Sequence, residues 1–93
     1  SSGFRAYRAK INNPKFDRLI VTVEQLNDVI ANDDSLGEGF CIGHSYFCTN
    51  ATVTDDWMKS VVEFELIPLL KEYWFDEAAK VKDWSRTLRE VVK

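Results

Sequence analysis

The sequence predicts an all-α fold, a small helical bundle of about four helices. Apolar residues recur at steps of three and four through three long segments. The breaks between these segments are filled with Asn, Asp, Gly and Pro, residues that end or start helices. At 93 residues the chain has room for one domain, with no repeat, low-complexity tract or linker to divide it.

Taken in order, Phe4, Tyr7 and Ile11 share one face of a first short helix. Asn12-Asn13-Pro14 ends it, because proline disfavours helical geometry in the residue before it, and Pro14 suits the first turn of the next helix. Phe16, Leu19, Ile20, Val23, Leu26 and Ile30 then form a helix-period stripe. Ile20-Val-Thr-Val23 favours a strand by propensity, but the period decides for helix. The run from Asn32 to Gly39 is a break in which Gly37 or Gly39 can take positive φ. Phe40 to Gly43 reads as a short extended segment, and Gly43 to Thr54 as irregular.

Thr54 followed by Asp55-Asp56 marks a helix start, a capping hydroxyl with acids at the positive end of the dipole. Two adjacent stripes follow, Trp57, Val61, Phe64, Ile67 and Met58, Val62, Leu66, Leu69, Tyr73. So wide an apolar arc predicts a central helix, kinked or divided at Pro68. Asp76-Glu77 opens a last helix with Val81, Trp84, Leu88 and Val91 inward. The predicted core contains Trp57, Phe64, Leu69, Trp84 and Leu88, and the three tryptophans read as core rather than site.

Composition narrows the function classes. The chain is 45% hydrophobic, too apolar for disorder, and its longest uncharged apolar run, Leu66 to Leu70, is far too short for a membrane span. No signal segment opens it, so the expected setting is the cytoplasm, with no membrane partner. Ser1-Ser2-Gly3 is set aside as a cloning scar, and the start without Met leads to the expectation of a processed chain or a fragment of a larger one, with residues 4–93 as its domain. The net charge of −3 hides a segregation: five bases against Asp17 in residues 1–18, ten net negative charges in 19–79, and three net positive charges in 80–93. The basic ends are expected to meet the acidic middle within the fold, the alternative being a partner or a phosphate.

Parts of a complete enzyme are missing. There is no phosphate-cradling loop, no dinucleotide fingerprint, no nucleophile elbow and no metalloprotease motif. Glu63 and Glu65, two apart on a helix, face different directions. Cys41 and Cys48 with His44 between them fall short of a four-ligand zinc site and read as two buried thiols, so no metal is expected. Asn50-Ala51-Thr52 matches a glycosylation sequon that, without a secretory signal, carries no weight.

The unusual segment is Ile42-Gly-His-Ser-Tyr-Phe47, followed downstream by Ile67-Pro-Leu-Leu-x-Glu-Tyr-Trp74. In this order and spacing the two runs resemble the C-terminal part of McrB-type AAA+ proteins, the GTP-driven motors of 5-methylcytosine-dependent restriction systems. Leu26-Asn27 and Leu36-Gly37 fit the same pattern, and the resemblance covers about Phe4 to Trp84. It implies an AAA+ lid, a helical domain that closes over nucleotide and moves against neighbouring subunits of a hexameric, homo-oligomeric ring. It further implies GTP or ATP with Mg2+ in the full-length protein and none in the fragment alone. The partners it implies are the AAA+ core of the same chain, a nuclease subunit and methylated DNA. The catalytic parts would lie in the core, so the fragment itself is expected not to be an enzyme. Where such lids offer a sensor arginine, this chain has Gly43, His44 and Ser45, whose donors suit a phosphate or a base. Two other readings stand beside this one. One is a stand-alone helical interaction module; the other is a helix-turn-helix DNA binder on Thr22 to Ile30, which Glu24 and Asp28 make a poor surface for phosphates.

Overall fold

The computed structural model describes residues 2–93. Its helices are α1 (Ser2–Ile11), α2 (Pro14–Ala31), α3 (Asp55–Val61), α4 (Ile67–Tyr73) and α5 (Ala78–Val91), and the described residues form no strand. A π-helical turn over Val62–Leu66 joins α3 and α4 into one rod, so the bundle consists of four rods, as the stripes predict. α1 takes in Ser2 and Gly3, two residues that the sequence reading sets aside.

Local chemistry accounts for most boundaries. Asn12 occupies the left-handed region at φ 51°, which asparagine tolerates better than most side chains. Asn13 then caps α2: its side-chain oxygen accepts from the backbone N–H of Lys15 and Phe16 at 3.0 and 3.1 Å, with Pro14 in the first turn. At the other end of α2 the chain folds back, Gly37 N–H donating to the carbonyl of Ile30 at 3.1 Å. Gly37 has φ 99° and ψ −177°, a conformation open essentially to glycine alone. Thr54 caps α3 by accepting from Trp57 N–H.

The central rod departs from the predicted pattern. Phe64, expected in the core, is 77% exposed. The cause is the π turn, in which Ile67 N–H bonds the carbonyl of Val62, five residues back. Pro68 has no N–H to give and its ring crowds the preceding turn; the wider turn immediately before it accommodates both. The turn holds one residue more than an α-helical turn, which advances the inward face by about 100°. The buried residues therefore run Met58, Val61, Val62, then Leu66, Ile67, Leu70 and Trp74, and Phe64 is left outside. Trp57, Leu69 and Trp84 are half-buried, Leu88 fully buried. The Phe40–Gly43 segment also differs: Glu38–Phe40 is a 3-10 turn, and no strand follows it.

Phe16 is the hub of the core. It is fully buried and its ring meets Tyr7, Phe47 and Trp57 at centroid distances of 6.2–6.5 Å. The charge segregation is partly resolved inside the fold, by Lys15–Asp55, Lys80–Asp33 and Arg89–Glu63 pairs that join the basic ends to the acidic middle. Hydrogen bonding to Arg89 lowers the carboxyl of Glu63 below its usual range.

At the far end of the bundle, Trp74 is almost completely buried, and its indole N–H donates to Asp33 Oδ2 at 2.9 Å. The same carboxylate accepts from the Ser35 hydroxyl and backbone N–H, and Lys80 lies 3.6 Å away. These donors, Ser35's hydroxyl first and Trp74 next, hold Asp33 down at about 2 against an ordinary value of 3.8, outweighing the opposing effect of burial.

Two expected outcomes follow. Phe64→Ala shifts unfolding free energy by less than about 0.5 kcal/mol, whereas Leu66→Ala, two residues on, costs about 2–5 kcal/mol; urea denaturation distinguishes them. Because the folded carboxyl of Asp33 titrates below the unfolded one, its stabilisation is complete above about pH 4 and is lost as pH falls toward about 2. Asp33→Asn therefore flattens this acid limb of the stability profile, which urea denaturation followed by far-UV circular dichroism reads at each pH.

Candidate functional site

The segment that the sequence singles out forms a 3-10 turn, His44–Phe47, with Gly43 at its start. Gly43, His44 and Ser45 are consecutive and exposed; Tyr46 is half-buried and Phe47 buried. The turn thus divides its side chains, two polar ones outward and two aromatics toward the core. Among the described residues the side chains of His44 and Ser45 make no hydrogen bond, so neither caps the turn. Backbone bonds close it instead, from Tyr46 N–H to the Gly43 carbonyl and Cys48 N–H to the Ser45 carbonyl, both 3.4 Å.

His44 is nevertheless held. Its imidazole lies against the ring of Phe4, centroids 3.9 Å apart and planes within 16°. Phe4 stacks in turn on Tyr7 at 6.0 Å, and Tyr7 meets Phe16, so a continuous run of rings leads from the exposed histidine to the hub of the core. The Tyr7 hydroxyl accepts from Thr49 N–H at 3.3 Å, fixing α1 across the far side of the turn. Gly43 has an ordinary φ of −83°, and a side chain there would meet nothing within 4 Å. The fold of this domain does not require glycine at 43, which leaves its open Cα face toward whatever approaches from outside.

A residue without an assigned role in the sequence reading sets the position of the turn. Asn27, in the middle of α2, receives the N–H of Ile42 on its side-chain oxygen at 2.7 Å and donates its amide to the Ile42 carbonyl at 2.9 Å. One side chain thus satisfies both backbone groups of the residue next to Gly43, as a neighbouring strand would. Cys41 adds a weaker thiol contact to the Asn27 carbonyl. Asn27 fits the family pattern, but a side chain whose partner is remote backbone leaves no periodic signal in sequence.

The cysteines diverge from expectation. Cys41 is half-buried, Cys48 is exposed rather than buried, and both are free. The 3-10 turn puts Cys48 on its outer side, with its thiol near the His44 carbonyl. Among the described residues no three His, Cys, Asp or Glu side chains gather where they could hold a metal ion. No described helix is long and apolar enough to cross a membrane.

The described residues thus form an all-helical bundle that carries one exposed polar turn, held from behind by Phe4 and Asn27. The chain belongs to the family described as the McrB alpha-helical lid domain, which matches residues 18–82. It is 38% identical over 81 residues to the type IV methyl-directed restriction enzyme EcoKMcrB subunit of Escherichia coli (strain K12). That similarity covers 81% of this chain and 18% of the length of the relative, so the chain spans less than a fifth of it.

Asn27→Ala leaves the N–H and carbonyl of Ile42 without partners, at a cost of about 1–3 kcal/mol for each group that stays buried. Hydrogen exchange should show faster opening of residues 41–47 in this variant, while the amides in the middle of α5 keep their protection.

Proposed function

We propose that this domain is the lid of a McrB-like AAA+ motor in modification-dependent DNA restriction, and that the turn at Gly43, His44 and Ser45 is its nucleotide-facing element. The observation that carries the reading is the state of His44. It is exposed and free of hydrogen bonds among the described residues, yet it is fixed by the ring of Phe4 and by the Asn27 clamp two residues away. A donor held ready without an internal partner is what a ligand-sensing position requires, since its ordering entropy is lost before the ligand arrives.

In this reading the bound group is GTP or ATP with Mg2+. The donors suit it: the imidazole and the Ser45 hydroxyl can both give hydrogen bonds to a phosphate or base, and the open Cα of Gly43 allows close approach. The metal would be held elsewhere in the full-length protein, because this domain gathers no acidic ligand set among its described residues. Nucleotide hydrolysis supplies the free energy, and this chain's part is to bind, to orient His44, and to pass rigid-body movement to neighbouring subunits of a homo-oligomeric ring. The AAA+ core of the same chain, a nuclease subunit and methylated DNA complete the proposed assembly, in the cytoplasm.

His44→Ala in the full-length protein tests the reading. Loss of one hydrogen bond to a charged group is worth about 1.5–3 kcal/mol, so turnover is expected to fall by about tenfold to a hundredfold. The melting temperature of the 93-residue domain should fall only modestly, through loss of the stack on Phe4, since His44 is otherwise exposed. Phe47→Ala, by contrast, should destabilise the fold by about 3–5 kcal/mol. Unchanged turnover in the His44 variant would show that the histidine serves only as a ring against Phe4. The domain would then be a helical interaction module rather than a nucleotide sensor.

A further inference from the structure

Among the described residues one buried side-chain oxygen makes no hydrogen bond, that of Ser85 on α5. Ser85 is 4% exposed, and its oxygen is sealed from water. A helical serine or threonine commonly meets this need by donating to the carbonyl four residues back. Thr22 does so to Arg18, and Thr87 to Asp83. Ser85 makes no such bond, so dehydrating its hydroxyl costs stability that nothing in the fold restores. An alanine would take the same place in α5 without that cost and with better helix propensity. The hydroxyl therefore has no structural reason within the domain.

Ser85 lines a groove between α4 and α5 of about 410 Å³, within the size range of small-ligand sites. Ile67 and Trp74, both buried, give it an apolar wall on α4, and Ala78 and Val81 give it one on α5. Its charged residues are all basic: Lys71, Lys82 and Arg89, each exposed. No acid lines it, although residues 19–79 carry ten net negative charges. Lys71 and Arg89 lie in the last turns of α4 and α5, where the helix dipole favours a cation. The dipole gives no such reason for Lys82, near the start of α5. Lys82 and Arg89 stand about one turn to either side of Ser85 on the same face of α5. Lys71 and Lys82 make no ion pair among the described residues, and Arg89 gives Glu63 only its Nε and Nη2.

We infer that this groove binds a small organic acid, a monocarboxylate with an aliphatic or aromatic body. The carboxylate accepts a hydrogen bond from the Ser85 hydroxyl and meets the charges of Lys71 and Lys82, while the body lies along Ile67, Trp74 and Val81. One hydroxyl and two mobile ammonium groups suffice for the two oxygens of a carboxylate. A phosphate brings three acceptor oxygens and up to two charges, and the apolar walls have nothing to offer the third. Because the Ser85 oxygen is sealed, the acid reaches it as a side chain at the rim swings outward; Lys82, exposed and unpaired among the described residues, is placed to do so. The groove lies on α4 and α5, which supply no residue of the turn at His44, so the inference does not rest on the nucleotide reading.

Amide NMR of the 93-residue chain, titrated with octanoate below its micelle-forming concentration, tests the inference. Saturable shifts are expected within residues 67–75 and 78–89. Octanol keeps the apolar body and loses the charge; acetate keeps the charge and loses the body. Each should bind at least about tenfold more weakly than octanoate. Ser85→Ala should weaken octanoate binding by about tenfold or more, while the melting temperature of the unliganded chain holds or rises. A serine needed only for packing would not give that opposition. Lys82→Gln, at an exposed position, should also weaken octanoate binding and leave the weak binding of octanol as it was. Octanol bound as tightly as octanoate, shifts spread beyond the two segments, or unchanged affinity in the Ser85 variant would each overturn the inference. So would tighter binding of a capped Leu-Glu-Leu peptide, which would make the groove a peptide-docking surface instead.

Discussion

The side chain of Asn27 does what a second strand would do in a sheet protein: it gives an isolated stretch of loop a place to end its hydrogen bonds. Between α2 and α3 the chain travels 23 residues, Asn32 to Thr54, with no regular element longer than four residues. Such a segment has many backbone groups to satisfy and little repetitive structure to satisfy them. The amide of Asn27 secures Ile42 near its midpoint, Gly37 ties its start to the end of α2, and Phe47 plants its second half in the core. With those three points fixed, the exposed turn at His44 has one position relative to α2. The lid reading depends on that rigidity more than on any single exposed donor.

The aromatic run extends the same constraint to α1. A ten-residue helix is marginal by itself in water, and α1 holds its place through rings: Phe4 against His44, Tyr7 against Phe16, and the Tyr7 hydroxyl against Thr49. Helix and turn are therefore mutually supporting. A change that loosens the turn also loosens α1, and the reverse holds, so movement of α1 has a direct route to His44.

How far the sequence was legible depended on the kind of signal. Caps and breakers act within three or four residues, and Asn13 with Pro14, Thr54 with its two aspartates, and Gly37 stand where the sequence reading put them or allowed them. Stripes were legible wherever the helix kept its period; in α2 every residue of the stripe from Phe16 to Ile30 is buried. Phe64 departs from its stripe because one extra residue in the π turn breaks the period inside the element, and from sequence Pro68 signals a kink or a division of the helix rather than an added residue. The polar turn at 43–45 was visible as the segment fitting no stripe. Its support was not: Asn27, Phe4 against His44, and Asp33 beneath Trp74 join residues 15 to 41 apart in sequence, and such contacts leave no pattern in a single chain.

The π turn also bears on how this domain is compared with its relatives. Gaps between related sequences are ordinarily placed in loops, where length is free to vary. Here the surplus residue lies inside a continuous rod, among Val62 to Leu66, and its structural reason is Pro68. A relative with a non-proline residue at that position could complete an ordinary turn, and would then need one residue fewer to bring its counterpart of Trp74 under the same loop. Proline and the extra residue should thus be gained and lost together. An alignment that closes the gap in a neighbouring loop instead would pair Phe64 with a core residue, and would carry the wrong face of α4 through every comparison built on it.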